Sequence, residues 1–133
     1  MAPPNPIMHA ALNRINIEEI KEQIGPPPAS CAVVVADHVT AAFIWQLSGT
    51  VNDNHCHNYD EWWIVLEGEI DWVIEGRDET VHAKAGDFIY VPALTFHHIF
   101  PVGGKPSIRL GVALTGHGHL HERPERKVKV ILE

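Results

Sequence analysis

The sequence has little of what would tie a chain to nucleic acid, to a membrane or to itself through disulfides. Among 133 residues there are only two cysteines, Cys31 and Cys56, too few for a disulfide framework. Lys plus Arg is 10 against 17 Asp plus Glu, so 10 − 17 leaves −7 with neutral histidines. No Lys/Arg cluster stands out, which argues against a phosphate-backbone partner and against an anionic membrane surface. No uncharged apolar run approaches the ~18–20 residues that span a bilayer. The stretch from Met1 to Met8 is rich in proline and lacks a basic segment ahead of an apolar one, so no secretory signal is read there. A reduced, cytoplasmic protein is the expectation. What is plentiful is histidine, ten in all, in a composition that is 45% apolar and 20% charged. That balance suits one globular domain.

Residues 1–30 read differently from the rest. They hold six of the ten prolines and one short helix candidate. Asn16 can cap it, Glu19 completes a capping box, and Gly25-Pro26 stops it. Ile17, Ile20 and Ile24 give it one apolar stripe. From Cys31 onward the period becomes two, with turns at Gly68, Gly76-Arg77-Asp78, Ala85-Gly86 and Gly103-Gly104. Strands are expected at 31–36, 39–47, 55–57, 61–66, 69–75, 79–83, 87–91, 96–100, 107–114 and 127–132. The organisation is therefore a Pro-rich segment at 1–30, an all-β unit at 31–115, and a His-rich loop and terminal strand or tail at 116–133. Many short strands with close turns indicate a sandwich or barrel.

Alternation predicts shared faces for Phe43, Trp45 and Leu47, for Ile70, Trp72 and Ile74, and for Ile108, Leu110, Val112 and Leu114. The stretch from Glu61 to Leu66 is apolar on both faces and is expected to be buried on both, by the barrel core and by a second sheet or subunit.

His55-Cys56-His57 sets two imidazoles on one face of an extended segment, and Glu61 follows four residues later. His97 comes from a separate hairpin. Two such histidines with a carboxylate and a third imidazole suit a divalent first-row ion. An isolated His-x-His pair is more often just polar surface, so the surrounding residues decide. Here Gly49, five residues, His55-Cys56-His57, three residues, Glu61, six residues and Gly68 resemble the first motif of the cupin superfamily. Gly86, five residues, Pro92 and His97 are similar to the second. Leu94 stands where that motif usually has glycine and Pro101 where it often has asparagine, which bears on loop shape and touches no ligand.

The resemblance implies a jelly-roll β-barrel, a double-stranded β-helix, holding one metal through His55, His57, Glu61 and His97. It does not fix a reaction. An Fe(II) ion is favoured, with Mn, Ni, Zn or Cu as alternatives. Trp45, Trp63, Trp72, Ile99, Ile108, Leu110 and Val112 are expected to share the barrel interior as an apolar pocket for a small molecule. Parity turns Arg109 outward, which leaves the metal as the strong cation of the pocket and favours a neutral or chelating ligand. Tyr90 and His98 are the acid/base candidates, with Tyr59 beside them as a further one. Cys56 points away from its neighbours and is not a ligand. His117, His119 and His121 read as a solvated loop, with a surface metal or a cover over the barrel mouth as the alternatives.

Three functions follow. The first is a mononuclear non-haem oxygenase of dioxygenase type. The second is a non-redox metal-dependent isomerase or lyase, and the third a non-catalytic cupin that binds a small ligand. A homodimer is expected from the apolar outer face at Trp62.

Overall fold

The computed structural model describes residues 6–9 and 11–129. One helix and eight strands form in chain order: α1 (Ile17–Ile24), β1 (Ala29–Val35), β2 (Val39–Gln46), β3 (Glu61–Glu67), β4 (Glu69–Ile74), β5 (Val81–Lys84), β6 (Phe88–Val91), β7 (His97–Val102) and β8 (Ser107–Leu114). The strands make two antiparallel sheets. The larger runs β1-β2-β8-β3-β6 and the smaller β5-β4-β7. Their facing surfaces enclose Trp63, Val65, Ile70, Trp72, Ile74, Ile89, Val91 and Ile99. This is the all-β jelly roll that the resemblance implies. No helix among the described residues is long and apolar enough to cross a membrane.

The helix forms as its sequence dictates. Asn16 Oδ1 accepts from the Glu18 N–H at 2.8 Å, and the Glu19 side chain returns the bond to the Asn16 N–H at 3.3 Å. Two donors at the helix start are thereby met, and the acidic Glu18 and Glu19 suit its positive end. Gly25 ends it, its N–H reaching the Lys21 carbonyl at 2.8 Å.

The helix and the segment before it do not enter the barrel. They lie over the outer face of the larger sheet, where Ile20 is buried with Val33, Phe43 and Ile108. Ile7, Met8, Trp45, Leu66 and Leu110 pack against that cluster. The Ile7 and Met8 N–H groups donate to the carbonyls of Ala32 and Val33 at 3.0 and 2.9 Å, which fastens the arm along β1. Lys21 joins the layer to the sheet through Glu67 at 2.5 Å.

This outer layer overturns the expected orientation of β2 and β8. Trp45, Ile108 and Leu110 belong to the outer cluster, and Val112 lines a surface groove beside Trp62. The inner face of β8 carries Ser107, Arg109 and Gly111 instead, since Arg109 is paired with Val65 and Gly111 with Trp63. Cross-strand partners share a face. The cause is that alternation identifies a buried face without saying which layer buries it. The most apolar face of β8 meets the isoleucines of α1, and its polar face meets the barrel interior.

The stretch from Glu61 to Leu66 is also covered unequally. Its inner residues Glu61, Trp63 and Val65 are buried, whereas Trp62 on the outer face is 42% exposed. The stretch 55–57 forms no strand of its own but makes two isolated bridges, to His97 and to Leu120. The expected terminal strand fails over 127–129, which is irregular, and 130–132 lies outside the described residues.

Candidate metal centre

Three separate pieces of chain bring the four candidate ligands together. His55 and His97 exchange both backbone hydrogen bonds, His97 N–H to the His55 carbonyl at 2.8 Å and the reverse at 3.2 Å. Such a registered pair sets the two side chains next to each other. His57 extends the same segment by two residues, and Glu61 opens β3 on its inner face. The donor atoms of His55, His57, Glu61 and His97 all lie within 4.8 Å of one another, and all four residues are buried.

The imidazoles are held for coordination. His55 Nδ1–H donates to the Asp53 carbonyl at 3.1 Å, His57 Nδ1–H to Gly118 at 3.3 Å and His97 Nδ1–H to Thr95 at 3.2 Å. A backbone carbonyl on Nδ1 fixes the tautomer that leaves Nε2 as a free lone pair. His57 Nε2, His97 Nε2 and Glu61 Oε1 are then buried without a hydrogen-bond partner. His57 Nε2 and Glu61 Oε1 approach to 2.7 Å, but they are not aligned to bond with each other. They converge on a common point.

Buried polar atoms without partners are costly, and three here form the donor set of a mixed N/O site. These residues fit a divalent ion. Burial lowers the His55 imidazole to about 4, helped by the neighbouring His119, and lowers His97 to about 3. Both rings are thus neutral, the form that coordinates.

The interior next to the centre is part aromatic and part polar. The Trp63 ring stands 5.3 Å from the His97 ring, and Trp72 lies 5.7 Å beyond it. Gly111 leaves room for Trp63, because a Cβ there would meet the indole at 3.0 Å. Ile99 is buried in the same cluster. Arg109, expected outside, is 5% exposed on the inner wall. Its Nη1–H donates to Gln46 Oε1 at 2.8 Å. Gln46 and Asn52 join their amides reciprocally at 2.9 and 3.1 Å, and Asn52 also donates to the Ile99 carbonyl at 3.1 Å. Burial lowers the Arg109 guanidinium to about 10 against the pull of the Glu61 carboxylate, so it stays charged at neutral pH.

Tyr90 and His98 are not in this interior. Tyr90 faces out from β6 and is 57% exposed. His98 follows the ligand His97 and therefore points to the opposite face, where its Nε2–H donates to the Asn52 carbonyl at 2.5 Å. Tyr59 is the buried phenol, with its ring 4.7 Å from His57. Burial, with Glu61 nearby, raises its pKa. Cys56 is fully buried beside its own backbone bridge to Leu120 and supplies no ligand atom to the group.

The His-rich segment is not a free loop. It straps the centre: the Cys56 and Leu120 N–H groups exchange bonds with each other's carbonyls at 2.9 Å, and Gly118 receives His57. His119 stacks on His55 with ring centroids 3.7 Å apart and planes 8° from parallel. Asp53 is the carboxylate that fixes the segment, accepting from His121 Nε2–H at 2.7 Å. Sequence spacing could not disclose that partner, because it lies 68 positions upstream.

Comparison with known proteins agrees with this geometry. The profile of the cupin domain family matches residues 43–113, more than half of the chain. No curated protein is a significant match. Among solved structures, a cupin-2 domain containing protein from Shewanella frigidimarina is 15% identical, with a TM-score of 0.64 over 80% of this chain and 99% of its own. The polyketide cyclase RemF from Streptomyces resistomycificus is 21% identical, with a TM-score of 0.60 over 77% of this chain and 72% of its own. The DMSP lyase DddQ from Ruegeria pomeroyi is 21% identical, with a TM-score of 0.54 over 61% of this chain and 40% of its own. At these identities the likeness is one of fold, and the relatives' reactions differ from one another. On the family match, the chain belongs to the cupin superfamily.

Proposed function

We propose that the protein is a mononuclear metal-dependent enzyme of non-haem oxygenase type, with His55, His57, Glu61 and His97 holding one divalent ion, Fe(II) for preference. The observation that carries the metal is the convergence of buried, unpartnered His57 Nε2, His97 Nε2 and Glu61 Oε1. Four protein ligands leave one or two positions for exogenous ligands on a five- or six-coordinate ion. The ion would supply Lewis-acid or one-electron chemistry there. The chain's own part is to hold neutral imidazoles, to keep water away with Trp63 and Trp72, and to close the mouth with the 117–121 strap.

Oxygenase chemistry is preferred because the acid/base candidates Tyr90 and His98 face outward. A non-redox isomerase or lyase is the second reading, favoured by the buried Tyr59 phenol beside His57. The proposal includes a homodimer through Trp62, Phe88 and Tyr90, which are 42%, 68% and 57% exposed at the β6 edge of the larger sheet. An apolar edge of this kind invites a partner strand.

Elemental analysis of the purified protein, followed by O₂ uptake of the Fe(II) form over catechols, thiols and diketones, tests the reading. Stoichiometric metal with substrate-dependent O₂ consumption is expected. Bound metal without O₂ uptake leaves the non-redox enzyme and the non-catalytic ligand-binding cupin, and a protein that takes up no metal at micromolar concentrations sinks all three.

A further inference from the structure

Arg109 is a buried cation that no carboxylate touches among the described residues, Glu61 acting on it only from a distance. It is 5% exposed, and among the described residues no carboxylate lies within salt-bridge distance of it. Among the described residues its one hydrogen bond goes to the neutral amide of Gln46, and its Nε–H has no partner. Removing a guanidinium from water without an ionic partner costs several kcal/mol in typical proteins, so such groups are kept where something compensates them.

Two further donors on the same inner surface are also unmatched. Ser107 lies two residues before Arg109 on the inner face of β8, is 1% exposed, and its hydroxyl has no partner. Trp72 Nε1–H is likewise buried and unpaired on the facing sheet. The orphan atoms of the barrel thus fall into two chemical kinds. His57, His97 and Glu61 offer lone pairs to a cation. Trp72, Ser107 and Arg109 offer hydrogens to an acceptor.

Charge counting points the same way. The four ligands carry one negative charge, on Glu61, whereas a divalent ion and Arg109 would bring three positive ones. With an ion held there the interior would carry a net positive charge, which favours an anion as the exogenous ligand. Arg presents a planar fork that matches carboxylate geometry, and Gln46, itself locked to Asn52, holds one arm of it in place.

We infer that the barrel interior takes up a small carboxylate, bound by the Arg109 guanidinium on the inner wall of β8 and presented from there to the metal centre. The inference deepens the proposed function and rests on it for the metal side alone. Arg109 is a substrate-positioning and specificity residue, and the neutral ligand expected from an outward Arg109 is replaced by an anionic one.

The test uses the full chain, first stripped of metal and then loaded with Zn, with acetate and pyruvate as probes and acetamide as the neutral isostere. Calorimetric titration and thermal shift are read in both forms. The metal-free protein is expected to bind acetate and not acetamide. Arg109→Gln should weaken acetate binding at least tenfold with its zinc content unchanged, and Arg109→Lys, which keeps the charge, should recover part of the loss. Equal binding of acetate and acetamide, no binding of acetate by the unaltered chain, or acetate binding that Arg109→Gln leaves intact overturns the inference. Because the metal-free arm needs no ion, a chain that binds acetate yet takes up no zinc refutes the metal reading and leaves the carboxylate site standing.

Discussion

The Leu94 N–H donates to the His57 carbonyl at 2.7 Å from a backbone held at φ 67°. The loop after Pro92 thereby pins a candidate ligand by means of Leu94, which adopts the left-handed conformation at the position where the cupin motif usually has glycine. A left-handed residue with a Cβ costs ~1–2 kcal/mol, part of which glycine would return to the unfolded chain as entropy. Leu94→Gly is expected to stabilise the protein by about 0.5–1 kcal/mol. Leu94→Val, branched at Cβ, should cost at least about 1 kcal/mol. Urea denaturation of the two variants checks both signs, and a neutral valine would remove the strain argument.

Ligand substitution should separate the centre from its strap. His57→Ala or His97→Ala is expected to abolish stoichiometric metal. His119→Ala should retain it, because His119 stacks on His55 without belonging to the four-ligand group. Metal-to-protein ratios after gel filtration decide the matter, and loss of metal from the His119 variant would place that ring among the ligands.

Gly111 is required by its neighbour. A Cβ at that position would lie 3.0 Å from the Trp63 indole and 3.8 Å from Glu61 Oε2. Gly111→Ala should therefore destabilise by roughly 1–3 kcal/mol, the usual cost of overpacking a filled interior. Chemical denaturation together with the near-ultraviolet circular dichroism of Trp63 would register it.

The metal-free protein should weaken in mild acid. His55 and His97 titrate at about 4 and about 3 when folded, because burial disfavours their charged forms. Unfolded histidine titrates near 6.5, so between these values the unfolded chain binds more protons. Stability therefore falls as pH drops from about 6.5 toward 4. Melting temperatures of the metal-free form at pH 7 and pH 5 test this, and equal values would contradict it.

Much of the site was legible in the sequence because its signals are local. His55 and His57 share a face by spacing alone, and Asn16, Glu19 and Gly25 write out the helix ends. Arg109 was not legible for a specific reason. The apolar alternation of β8 is strong, and with no sign of an outer layer the barrel is the natural place for Ile108 and Leu110. That layer is built by Ile7, Met8, Ile17 and Ile20, distant in sequence and read as an appendage. The sign of the face followed from a contact that periodicity does not encode. The strap was hidden for a related reason, since its anchor Asp53 and its seat on Cys56 lie far upstream.

Dimerisation through β6 has a direct check. Trp62→Lys with Phe88→Lys should convert the eluting species from dimer to monomer in size-exclusion chromatography without altering metal content. An unaltered chain that already elutes as a monomer would remove the homodimer from the proposal.

Trp63, 2% exposed and edge-on to His97, gives the protein an optical gauge. Its indole is shielded from bulk solvent, one ring away from a candidate ligand imidazole. An open-shell ion held by the proposed ligands would quench its emission at short range, and a closed-shell ion such as zinc would leave it bright. On the proposed metal reading, the occupancy of the barrel and the electronic kind of its occupant would show in the protein's own fluorescence as metal is titrated in.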